Sequence, residues 1–146
     1  MQRTIIALWG ISRLGKTTTI HLAFDDLRKE ATNHLNLCPR RSTEVVAILE
    51  IDGVKVGFAS LGDTPGVVEE YLDVLIENGC VVIVCATHTP LSGTWDVVGR
   101  HEHDYKIVRI EKACPQIDHD DGNRQKADEI IREVKKAIEL ALLVDA

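Results

Sequence analysis

Residues 4–24 read TIIALWGISRLGKTTTIHLAF, and the change of pattern inside this stretch decides the fold class. Thr4 to Trp9 is an apolar run carrying two isoleucines and a leucine, and it stops at Gly10. Such a run, bounded by glycine, predicts a strand buried on both faces. From Thr17 the period lengthens. Ile20, Ala23, Phe24, Leu27 and Ala31 recur at three- and four-residue steps, which predicts a helix reaching about His34.

The same alternation continues along the chain. NLCPRRSTE reads as a loop, with Pro39 blocking helix continuation. Glu44 to Ile51 and Val54 to Leu61 are two β-rich runs joined by Asp52-Gly53, a dipeptide suited to a type I′ turn and an antiparallel hairpin. Val68, Leu72, Leu75 and Ile76 mark a second helix, stopped by Asn78-Gly79. Cys80 to Thr87 is the most apolar run and is expected as the central strand. A short helix around Trp95 to His103, a strand from Tyr105 to Ile110 and a terminal helix from Arg124 to Val144 complete the order β-α-β-β-α-β-α-β-α. Strands separated by helices imply parallel pairing and right-handed crossovers. The hairpin is expected to leave one antiparallel strand at an edge of the sheet.

Composition narrows the class. A chain of 146 residues can bury one sizeable core and is short for two ordinary domains, so residues 1–146 are expected to form one domain. The net charge of -6 argues against nonspecific nucleic-acid binding by the whole surface. No run approaches the roughly 18 apolar residues of a membrane helix. Arg13 and Lys16 interrupt the N-terminal apolar stretch, and no small-residue cleavage site follows, so a cytoplasmic protein is expected rather than a secreted one. Cys38, Cys80, Cys85 and Cys114 form no CxxC pair and read as reduced packing residues.

Gly10 to Thr17, GISRLGKT, satisfies GxxxxGK[ST] at every fixed position, with a buried strand before it and an amphipathic helix after it. Glycines let backbone wrap a phosphate without a Cβ in the way, and a new helix offers its positive end. On this motif and the element order the chain resembles the P-loop NTPase superfamily, which implies a three-layer α/β/α fold. The resemblance assigns nucleotide binding to Gly10, Ser12, Arg13, Leu14, Gly15, Lys16, Thr17 and Thr18. Lys16 would reach the β- and γ-phosphates, and the Thr17 hydroxyl would ligate Mg2+. A glycine turn that binds nothing is the bland alternative.

A P-loop enzyme also needs an acidic group near its magnesium, usually at the end of a neighbouring core strand. GDTPG, Gly62 to Gly66, supplies Asp63. DTPG resembles the DxxG motif of GTPases, which implies Asp63 at the metal and Gly66 at the γ-phosphate. It also reads as a helix cap with Pro65 at or near the first helical position. RRST, Arg40 to Thr43, matches the R-x-x-T spacing of heterotrimeric G-protein alpha subunits, and an ordinary solvated basic pair accounts for it as well. The guanine signature N/TKxD is missing, because THTP (Thr87 to Pro90) stands where it belongs. ATP is therefore expected over GTP.

Three functions fit these motifs. The first is a hydrolase in which Lys16, Thr17 and Asp63 hold nucleotide and Mg2+ while Arg13, Arg40 or a partner's arginine stabilises charge. The second is a small-molecule kinase that holds its acceptor with Thr87 to Arg100, where Asp96 and Arg100 lie about one turn apart. The third is a switch whose 36–44 loop and DTPG turn meet a protein partner. His101 to Asp104, with Cys114 and His119, fits no zinc spacing.

Overall fold

The computed structural model describes residues 1–11, 15–37, 44–112 and 119–144. Their elements, in chain order, are β1 (Thr4–Trp9), α1 (Lys16–Arg28), β2 (Asn33–Asn36), β3 (Val46–Ile51), β4 (Val54–Ala59), α2 (Pro65–Glu77), β5 (Val82–Thr87), α3 (Gly93–Gly99), β6 (Lys106–Glu111) and α4 (His119–Val144). The strands form one sheet in the order β2-β3-β4-β5-β1-β6. β1 pairs in parallel with β5 and β6, and β4 in parallel with β5. The chain is thus an α/β protein with a mostly parallel sheet.

Side-chain alternation along the central strands divides the core in two. Ile6, Leu8, Val82, Val84 and Ala86 face α1 and α4, meeting Ile20, Phe24, Leu27, Ile130 and Val134. Ile5, Ala7, Ile83 and Cys85 face the other way, toward Val68, Leu72 and Leu75 of α2 and Val97 and Val98 of α3. This two-sided covering is why β1 and β5 read as unbroken apolar runs. Each fully buried Ile or Leu contributes about 1.5–3 kcal/mol of transfer free energy. On the α3 side, Trp95 packs edge-on against Trp9 at 5.4 Å, and the Arg109 guanidinium lies 3.6 Å from the Trp95 ring centroid. Cys80 and Cys85 are buried with free thiols, which burial pushes up to about 12, so both stay protonated packing groups. Among the described residues no helix is long and apolar enough to cross a membrane.

Three expectations need correction. The first helix ends at Arg28, not near His34, and Asn33–Asn36 forms an additional strand. That strand is exposed at all four residues and is held by its ladder to β3 rather than by burial, so it leaves no hydrophobic period to read. Second, the antiparallel strand is not at the edge. β3 runs antiparallel to both β2 and β4, and β2 takes the edge. Third, the strand leading to Asp63 does not neighbour β1, because β5 lies between them. The hairpin turn itself has positive φ at Asp52 (54°) and Gly53 (79°), as a type I′ turn requires.

Candidate functional site

The carboxyl ends of β1, β4 and β5 meet at one edge of the sheet, where open α/β folds gather ligands. β3 runs the other way, so its beginning, not its end, arrives at the same edge beside Ala59. A cleft of about 560 Å³ opens there, lined by Gly15, Lys16, Thr17, Thr18, Glu44, Ser60, Gly62, Asp63, Ala86 and His88.

The β1–α1 junction builds one wall. Gly15 sits at the helix N-cap with φ 84°, a conformation glycine adopts without penalty. A Cβ there would stand 2.6 Å from Asn123 Oδ1 of α4. Asn123 is buried, and Thr19 Oγ1 donates to the Gly15 carbonyl (2.7 Å) while lying 3.2 Å from Asn123 Oδ1. The glycine is thereby packed from behind. Lys16 Nζ donates to the carbonyls of Gly10 (2.6 Å) and Thr87 (2.9 Å), bridging the ends of β1 and β5. Burial lowers its pKa below the ordinary lysine value, and the Asp63 carboxylate partly offsets that shift. An ammonium partly stripped of water is an electrostatic site for an anion.

The opposite wall comes from β3 and β4. Thr17 Oγ1 donates to Glu44 Oε2 at 3.0 Å, and Ser60 Oγ donates to the same oxygen. The Asp63 side chain is 83% exposed, with His88 Nε2 at 3.9 Å from its Oδ1. Gly62 must be glycine for a separate reason: a Cβ would meet the Ala86 carbonyl at 2.5 Å.

Of the residues expected at the site, Gly15, Lys16, Thr17, Thr18 and Asp63 line the cleft together. Gly10 contributes its carbonyl to Lys16 rather than a wall. Gly66 is the second residue of α2 and does not line the cleft; Pro65 opens that helix, with Thr64 as its cap. Ser12, Arg13, Leu14 and Arg40 to Thr43 lie outside the described residues, as do Cys38 and Cys114. Asp96 and Arg100 are apart from the cleft lining, and Arg100 Nη1 lies 3.9 Å from Glu69 Oε2 of α2.

Sequence reasoning missed Glu44 and Ser60. Glu44 registered as the first residue of a strand and the last of the 36–44 loop, and Ser60 as part of the next strand, neither as a cleft residue. The available signal was their position at the two adjoining ends of the hairpin strands, which an antiparallel register brings opposite each other.

Among the described residues the cleft chemistry consists of one ammonium, two carboxylates and three hydroxyls, with an imidazole beside Asp63. Its oxygen donors are those a hard divalent cation takes. Compared with known proteins, the chain matches no family model, no curated protein and no solved structure.

Proposed function

We propose that this chain is a P-loop NTPase with the three-layer fold of that superfamily, binding a nucleoside triphosphate with Mg2+ and hydrolysing its terminal phosphoanhydride, with ATP preferred over GTP. The observation that carries this reading is the Lys16 ammonium, partly desolvated between two strand-end carbonyls beside a left-handed glycine at a helix start. Phosphate oxygens entering the cleft would give that ammonium the counter-charge that backbone carbonyls only partly supply. The first turn of α1 adds free amides and the positive end of its dipole.

The donor set fits magnesium. Thr17 would hold the ion directly through its hydroxyl oxygen, and Asp63 would meet its hydration shell from the far wall. Magnesium, when bound, neutralises charge on the β- and γ-oxygens. Lys16 would orient the same oxygens and stabilise charge developing on the bridge. Catalysis of this kind consists mainly of positioning and electrostatics, with little covalent work for the protein. The preference for ATP rests on the missing guanine signature.

Thermal unfolding with ATP, GTP, ADP and GDP, each with and without Mg2+, tests the reading on wild type and Lys16→Ala. A nucleotide at a hundredfold its Kd is expected to stabilise wild type by about 2.7 kcal/mol and Lys16→Ala by none. Slow release of ADP and phosphate without any added acceptor is expected to follow. If no nucleotide shifts the wild-type midpoint, the proposal fails.

A further inference from the structure

The two carboxylates in the cleft are held very differently, and the difference assigns them different work. Ser60 is 3% exposed, and its Oγ accepts the Val45 amide at 2.7 Å. Its own proton is directed to Glu44 Oε2. The same oxygen accepts the Thr17 hydroxyl proton at 3.0 Å. With that proton committed, Thr17 Oγ1 keeps its lone pairs for another partner, the state in which a hydroxyl can serve as a cation ligand. Asp63 has no comparable support. Its side chain is 83% exposed, and the strand before it is separated from β1 by β5.

We infer that Glu44 is the carboxylate that sets the magnesium shell, acting as a positioning residue through Thr17, while Asp63 plays the lesser part. The inference rests on the magnesium–nucleotide reading above. Glu44 reaches the site because β3 is antiparallel: its entry end lies at the edge where the parallel strands exit, and Val46 pairs with Ala59. Buried Ser60 then fixes the carboxylate from below. Partners that orient a metal ligand typically change metal affinity by about 10–100-fold when removed.

The test is the ratio of ATP dissociation constants measured by calorimetry on the full chain in EDTA and in Mg2+, for wild type, Glu44→Gln and Asp63→Asn. Glu44→Gln keeps side-chain size and an acceptor oxygen but loses the charge. Its ratio is expected to fall at least about tenfold through weaker binding in Mg2+, while loss of a cleft carboxylate leaves binding in EDTA no weaker. Asp63→Asn is expected to lower the ratio less. A smaller fall in Glu44→Gln, or an equal loss in EDTA, overturns the inference. If Glu44→Gln fails to fold by circular dichroism, Glu44→Asp, whose carboxylate is drawn back by one methylene, is judged on the same ratio. A wild type that binds ATP no better with Mg2+ than in EDTA, or not at all, is a different failure, and it removes the magnesium–nucleotide reading itself.

Discussion

Two strand-to-helix junctions face each other across the cleft, and they are built to opposite designs. At the described end of the β1–α1 junction, Lys16 donates to the Thr87 carbonyl of β5, Thr17 to Glu44 and Thr19 to the Gly15 carbonyl, with Asn123 of α4 packed against Gly15. At the β4–α2 junction, Asp63 stands in solvent and Thr64 caps the helix through a long 3.4 Å bond from the Val67 amide. The described end of the first, from Gly15 to Thr19, is held in place before any ligand arrives. The second leaves its side chains free to adjust. A site that must grip a compact polyanion gains from the first design, because little ordering cost remains at binding. A wall that responds to the ligand needs the second.

The two glycines sharpen this contrast most. Gly15→Ala forces a side chain into a left-handed backbone and against Asn123, so a loss of about 2 kcal/mol or more is expected in chemical denaturation. A loss below ~0.5 kcal/mol would mean that the junction is not held as described. Removing the obstacle comes next. In a double-mutant cycle, Gly15→Ala with Asn123→Ala should cost about 1 kcal/mol less than the sum of the singles. Strict additivity would break the link between α4 and the glycine. At the other junction a Cβ on Gly66 meets nothing, so Gly66→Ala is expected to gain about 0.5 kcal/mol from a less flexible unfolded chain. Thr64→Ala should cost about 0.5 kcal/mol, the low end for a cap, given its long bond. Asp63→Asn is expected to leave ligand-free stability within about 0.5 kcal/mol of wild type, since its side chain is mostly solvated.

What could be read in advance follows the range of the forces involved. β1, the Asp52-Gly53 hairpin and the Pro65 helix start were legible because burial, turn chemistry and φ restriction act within a few residues. Lys16 and Thr17 could be singled out by the GxxxxGK[ST] spacing, and Asp63 because it directly follows an apolar run. β2 was not legible, since its stability comes from a ladder to residues 47–50 and none of its side chains is buried. Insertion of β5 between β4 and β1 is a choice among distant pairings, which no local pattern encodes. Glu44 was missed for the same reason: its partners Thr17 and Ser60 are near only after the sheet has formed.

The placement of β1 also bears on how the chain is made. Its six residues are flanked in the sheet by 82–87 on one side and 106–111 on the other. During synthesis this water-avoiding segment leaves the ribosome well before either neighbour exists. The β2–β3–β4 meander, by contrast, joins strands that follow one another directly and has its partners within reach as it emerges. Long-range parallel pairing is slow to form and leaves strand edges open while it waits. Early nascent chains therefore carry an apolar segment whose sheet partners have yet to be made.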